Sequence, residues 1–330
     1  MNQVPAWTAP GSAYVVEQLS CGQAISIIAL ERGYFRIRFG NRIGYVYAKY
    51  VRLPESWGIR TQRLQPIPPP TEPQSNSNRE KQGRHRFGLA FEVSHIKYEE
   101  PGIMNNKGVM WGVSGDYTFH PENFMFRLDG RFSFGDVDYW SKDTGTDSDI
   151  RDYNLETRFA FGYEVKTASP KVSFTPFTGL GYRYLADLSG GTKTSTDYSG
   201  YDRESNYLYS PIGIETMLRL KGSWFFGVAG EYDLFWHGWQ YSQLGDIDPG
   251  LNTLKNDQKD GWGARGSVRI SKRVGRMDLC IEPYFRYWDI GDSDIDILTY
   301  FDPNDLIAIG PMHEPPNTTR EWGSRLGIRF

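Results

Sequence analysis

The 330 residues carry 37 Lys and Arg against 40 Asp and Glu, a formal net charge of -3, at a mean hydropathy of -0.55. This balance points away from nucleic acid and from strong electrostatic steering, and without a run of about 18 apolar residues there is no membrane-spanning helix. Aromatic residues at 15% and 36 glycines suit an all-β chain.

Met1 to Cys21 lacks a basic start and a continuous apolar core, so it is not a secretory signal. Glu17 and Gln18 interrupt the run before Cys21 that a lipoprotein cleavage box would need. An exported form of this chain is therefore expected to have lost a signal or to begin upstream. Residues 1–55 read as short strands around Tyr14-Val15-Val16, Ala24 to Ile28, Tyr34 to Arg38 and Ile43 to Val46, with turn chemistry at Cys21-Gly22, Arg32-Gly33 and Gly40-Asn41. The order resembles a bacterial SH3-like (SH3b) domain. Leu19-x-x-Gly22 precedes the first long strand. Gly33-Tyr34-Phe35-x-Ile37 stands where that family has Gly-Trp-x-x-Val, and Gly44-Tyr45-Val46 with Tyr50-Val51 where it has Gly-Trp-Val and Tyr-Leu. Tyr replaces Trp at both signature places. The resemblance implies a ligand site at Tyr34, Tyr45 and Tyr50 for peptidoglycan or a periplasmic protein; the alternative is that these rings only fill a small core.

Residues 56–85 are rich in Pro, Gln, Ser and Asn, including Pro66-Ile67-Pro68-Pro69-Pro70. They bury too little apolar surface to fold, so a flexible, partly polyproline spacer is expected. Cys21 and Cys280 fall on either side of it, which argues against a disulfide framework.

Residues 86–330 repeat one two-faced pattern. Phe87, Leu89, Phe91 and Val93 alternate with polar residues, as do Val109, Trp111, Val113 and Tyr117, and Phe124, Phe126, Leu128, Phe132 and Phe134. Seven further segments follow, and the last holds Trp322, Leu326, Ile328 and Phe330 on one parity. Each is near or above the 9–11 residues that a tilted strand needs to cross hydrocarbon. Short links (His120 to Asn123, Lys166 to Lys171, Lys221-Gly222, Ser271 to Arg276) alternate with long polar ones (Glu99 to Lys107, Tyr139 to Arg151, Ala186 to Asn206, His237 to Asp260, Asp289 to Thr318). The pattern predicts a ten-stranded antiparallel transmembrane β-barrel with both ends on the short-turn side, the periplasm. The final strand resembles the C-terminal sorting strand of Gram-negative outer-membrane barrels, which implies contact with the barrel-assembly machinery. Outer-membrane lipid is the other expected partner, and nucleic acid is not one.

The opposite parity carries Glu92, Asp116, Arg127, Asp129, Arg131, Glu156, Arg158, Arg183, Glu215, Arg219, Glu231, Asp233, Arg265, Arg269, Glu282, Arg286, Arg325 and Arg329. Every base here is Arg, whose planar fork suits multidentate pairing away from bulk water. An ion-pair lattice filling a narrow lumen follows. Trp140, Trp236, Trp239, Trp288, Tyr98, Tyr139, Tyr184 and Tyr287 fall near the long-loop ends and predict an outer aromatic belt.

The ten-strand plan resembles omptins, outer-membrane endoproteases with an Asp-x-Asp pair beside Trp and an Asp-x-His pair opposite. Asp136-Val137-Asp138 with Trp140 matches the first pair in part, though on the lipid-facing parity. The second pair is missing: Asp233 and His237 share the inward parity, but four residues of strand separate them by roughly 13 Å. A porin-like channel or a surface receptor is a further alternative to a non-enzymatic anchor. Asp292-x-Asp294-x-Asp296 resembles the start of a calcium loop but lacks its central Gly and closing Glu, so a solvated acidic loop is expected. No cofactor motif is found: Gly179-x-Gly181 and Gly190-Gly191 lack the strand-to-helix setting of a phosphate loop, and no Gly-x-Ser-x-Gly elbow occurs.

Overall fold

The computed structural model describes residues 3–9, 15–20, 23, 25–31, 34–39, 42–51, 85–167, 169, 171–302 and 305–330. The chain divides into two compact units, 1–73 and 74–330. The spacer expected at 56–85 lies, apart from His85, outside the described residues, as does Cys21.

In the first unit, β1 (Gln3–Trp7), β2 (Val15–Ser20), β3 (Ser26–Glu31), β4 (Tyr34–Phe39) and β5 (Arg42–Tyr47) form one antiparallel sheet in the order β2-β1-β5-β4-β3. Alternation sends Ala6, Leu19, Ile37 and Val46 into a shared core. Tyr45 and Tyr47 take the opposite face of β5 from the buried Gly44 and Val46.

The second unit holds β6 (His85–Glu100), β7 (Met104–Phe119), β8 (Phe124–Ser141), β9 (Gly145–Tyr163), β10 (Val165–Lys166), β11 (Val172–Leu188), β12 (Arg203–Arg219), β13 (Trp224–Gln243), β14 (Thr253–Gln258), β15 (Gly261–Val274), β16 (Met277–Ile290), β17 (Asp296–Asp302), β18 (Asp305–Met312) and β19 (Asn317–Arg329). Ten of these, β6 to β9, β11 to β13, β15, β16 and β19, pair in an antiparallel ring that β19–β6 and β9–β11 complete. β14 extends the β13 ladder, and β17 and β18 form a separate hairpin. Closure leaves the ring no free edge. At the seam, Phe330 N–H donates to Phe87 O at 2.9 Å and Phe87 N–H to Phe330 O at 3.3 Å.

The exterior is apolar. Phe87, Leu89, Phe91, Trp111, Val113, Leu128, Leu234, Trp322 and Leu326 are all exposed. From Phe330 to Trp322 the chain climbs about 20 Å along the barrel axis at ~3.3 Å per residue and ~40° tilt. That is close to the ~25 Å apolar band of membrane barrels.

Two of the expected loops are instead ladder. Glu99 pairs with Asn105 and Trp140 with Thr146, so only Pro101-Gly102-Ile103 and Lys142-Asp143-Thr144 turn the chain. Polar residues mark where these hairpins leave the apolar band, but backbone pairing does not need an apolar face. Gly102 and Gly145, at φ 79° and 85°, supply the left-handed residue that each tight turn needs.

β13 holds a second departure. Leu208 pairs with His237 and Tyr209 with Phe235, which leaves Trp236 as an extra residue. This bulge reverses parity beyond it. Gly238, Gln240 and Ser242 become the inward residues, and His237 turns outward to stack on Trp239 at 5.8 Å.

Candidate functional site

Inward alternation on nine of the ten ring strands brings the charged residues together across the lumen. Glu92 of β6, 0% exposed, accepts from Arg131 of β8 at 2.7 Å and from Arg325 of β19 at 3.0 Å. Glu321 of β19 accepts two bonds from Arg131, at 2.5 and 2.9 Å, one from Arg286 at 3.2 Å and one from the Tyr284 hydroxyl at 3.2 Å. A second knot centres on Arg265 of β15, which reaches Asp233 at 2.7 Å, Glu156 at 2.9 Å and Glu231 at 3.1 Å. Arg158 of β9 crosses to Glu231 of β13 at 2.7 Å and holds Asp129 at 2.8 Å. Nearer the short turns lie Arg127 with Glu215, Arg269 with Glu282 at 2.5 Å, and Arg329 with Asp116 at 3.0 Å.

Ions this deep repay their desolvation only when each is held by several partners, and the forked guanidinium supplies them. Arg219 stands apart. It is exposed at the end of β12, forms no ion pair among the described residues, and lies over the Phe225 ring at 5.9 Å. Glu321 and the hydroxyls of Tyr209 and Tyr284 belong to the lattice as well, with Tyr209 donating to Glu156 at 2.5 Å. Glu321 was readable from its parity, whereas a tyrosine's parity does not say that its hydroxyl will meet a carboxylate.

Above the lattice, towards the long loops, an aromatic layer closes the lumen. Trp288, 2% exposed, stacks on Tyr207 at 6.3 Å and meets Tyr209 edge-on at 5.0 Å, beside Phe235 and Ile290. Two glycines make room for these rings. A Cβ on Gly181 would stand 2.2 Å from Tyr209 Cζ, and one on Gly263 2.9 Å from the Trp288 ring. Arg183 lies over both Tyr207 and Trp288, at 5.8 and 5.3 Å. Trp288 and Tyr98 therefore face inward rather than joining the aromatic belt. Trp140 and Trp236 stay on the exposed exterior.

Further out, Arg203 bridges Glu100 at 3.1 Å and Asp187 at 2.9 Å, and Asn106 donates to Asp187 at 2.8 Å. Burial pushes the nearby Tyr201 hydroxyl up to about 12, with the Arg203 charge pulling it down. This cluster falls wholly in two spans that read as loop in the sequence, although Glu100, Asn106, Asp187 and Arg203 lie on strands. Within the lattice, a cavity of about 140 Å3 is lined by Asp116, Arg131, Glu156, Arg265, Arg269 and Arg329, among others.

The residues weighed for proteolysis are not brought together. Asp136 and Asp138 are exposed on the outer face of β8, and Asp136 pairs with Arg151 at 2.7 Å. Asp233 is 0% exposed and bound to Arg265, whereas the bulge at Trp236 turns His237 away, 3.8 Å from Asp257. The reading that put Asp233 and His237 on one face is corrected by that extra residue. In the acidic loop, Asp294 accepts from Asp257 N–H at 2.7 Å and Asp296 from Lys255 N–H at 2.9 Å. These carboxylates are tied to backbone amides, and among the described residues no group of three or more His, Cys, Asp or Glu is placed to hold a metal.

In the first unit, Tyr34 meets Trp7 edge-on at 5.9 Å and Tyr47 at 5.1 Å, and Tyr47 meets Tyr50 at 6.2 Å. Lys49 Nζ stands 4.9 and 4.8 Å over the Tyr47 and Tyr50 rings. Trp7 and Tyr47 join the expected tyrosines in this row. Tyr45 is half-buried and pairs with Arg36 and Trp7 in the sheet.

No family model and no curated sequence matches the chain. Among solved structures, the outer membrane protease OmpT from Escherichia coli aligns with 74% of this chain and 96% of its own, at 11% identity and TM-score 0.52. The translocator domain of the autotransporter NalP from Neisseria meningitidis aligns with 78% of this chain and 97% of its own, at 8% identity and TM-score 0.40. At such identity the likeness to OmpT speaks to fold alone. Closed ring, apolar exterior and charged interior together make residues 85–330 a ten-stranded barrel of the outer-membrane type.

Proposed function

We propose that the chain is a non-enzymatic outer-membrane protein whose barrel anchors an SH3-like module that engages peptidoglycan or a periplasmic protein. The observation that carries this reading is the filled lumen: the Arg131 and Arg265 knots, capped by Trp288 and Tyr209, close the barrel at mid-height. A sealed barrel still serves as an anchor. β6 starts and β19 ends at the short-turn end, the periplasmic side in barrels of this plan, which supports placing the module there. The row Trp7, Tyr34, Tyr47 and Tyr50 is the surface we assign to its ligand; aromatic rows suit sugars and peptides through ring stacking.

The test incubates the detergent-solubilised full chain with purified sacculi. Retention that is lost in Tyr34→Ala/Tyr50→Ala supports wall binding; equal retention of the variant, or none of the wild type, overturns it. The cavity of about 140 Å3 within the lattice favours one second reading, a narrow channel. Stepwise conductance in a planar bilayer that changes in Arg269→Ala would replace the anchor reading with it.

A further inference from the structure

The segment between β16 and β19 departs from the rest of the long-loop end. Between Ile290 and Arg320 the sequence holds six carboxylates (Asp292, Asp294, Asp296, Asp302, Asp305, Glu314) and neither Lys nor Arg. The same segment is apolar where the chain turns to solvent: Ile295 is 66% exposed, Phe301 65%, Ile309 55% and Ile307 49%. Exposed apolar groups clustered on one loop mark an interaction surface rather than ordinary scatter.

The hairpin has one edge covered and one open. On the β17 side, Asn252 N–H donates to Thr299 O at 3.2 Å, Thr299 N–H to Asn252 Oδ1 at 2.8 Å, and Phe301 N–H to Gly250 O at 2.8 Å. Among the described residues β18 pairs with no strand but β17, and at its end Met312 O accepts from Asn256 Nδ2 at 3.3 Å, so no strand covers its far edge there. Ile307, Ala308 and Ile309 are exposed in succession, which leaves both faces of this strand open as well as its edge.

We propose that the β18 edge captures an extended cationic polypeptide segment, which adds to the hairpin as a further strand. Such a strand would gain main-chain hydrogen bonds from the free edge and side-chain burial on Ile307 and Ile309. The charge selects the occupant. A segment with no Lys or Arg, on which Asp292 and Asp294 are exposed, repels a second copy of the same hairpin and an anionic lipid surface, and attracts a segment with Lys or Arg among its apolar residues. The nearest cation of β14, Lys255, is already drawn to Asp257 at 3.6 Å.

The test measures fluorescence anisotropy of a labelled ten-residue peptide alternating Lys with Val, titrated with the full chain in nanodiscs. An otherwise identical peptide with Glu for Lys is the comparison. Saturable binding of the Lys peptide alone is expected, weakening as salt rises. In Ile307→Ser/Ile309→Ser it should fall about tenfold or more, while the barrel keeps its heat-modifiable migration on a gel. Equal binding of both peptides, or unchanged binding to the variant, would overturn the proposal. So would a dimer of the wild type that the variant abolishes, since the edge would then belong to a second copy.

Discussion

Arg131 and Glu321 lie 190 positions apart in sequence and three strands apart around the barrel, yet share two hydrogen bonds at 2.5 and 2.9 Å. Glu92 sits on the same guanidinium at 2.7 Å, so one cation holds two carboxylates that are 0% and 3% exposed. Arg131→Ala leaves both buried and short of a partner. A loss of about 3–5 kcal/mol is expected, read from urea unfolding in detergent. Arg131→Lys should recover only part of it, since an ammonium has no fork to span both acids.

The aromatic layer offers a separate test of how the lumen is closed. Trp288→Ala removes a 2% exposed ring and should cost about 3–5 kcal/mol. Arg265 loses the ring 6.0 Å away but keeps its three carboxylates, so the variant should stay non-conducting in a planar bilayer. Gly181→Val drives a side chain into Tyr209 and should lower the heat-modifiable folded fraction after refolding.

Asp136 and Arg151 form a pair that is 46% and 45% exposed on the outer face. Exposed pairs contribute little. Asp136→Ala with Asp138→Ala is expected to change stability by no more than about 0.5 kcal/mol. It should also leave any peptide cleavage by the purified chain at the level of the wild type.

Deleting Phe330 removes both backbone bonds that close the seam with Phe87. Two such bonds are worth about 1 kcal/mol each, and assembly should suffer more than stability because the terminal strand must find β6. The measurement is the share of newly made chain that reaches a heat-modifiable state in membranes.

Much of the barrel was legible because one face of every strand meets hydrocarbon, and period-2 alternation records that directly. The lattice was legible for the same reason, with Arg in place of Lys marking the dry side. What escaped notice has more than one physical cause. Trp288 and Tyr98 looked like belt residues because ring type and strand end agree with a belt, although they share the inward parity of Arg286 and of Glu92. Glu99 and Trp140 looked like loop because polarity drops the membrane signal while pairing persists. Nothing in Trp236-His237 announces a bulge, and one residue was enough to undo the pairing of Asp233 with His237.

That extra residue divides β13 into two lengths with opposite addresses. Up to Phe235 the odd-numbered side chains serve the lumen, and beyond Trp236 the even-numbered ones do, Gln240 and Ser242 among them. A single-codon deletion at Trp236 would therefore remove the bulge and join the two lengths in one regular alternation. Gln240 and Ser242 would keep their places in the interior and Trp239 and Tyr241 theirs outside, with one exposed ring the only side chain lost.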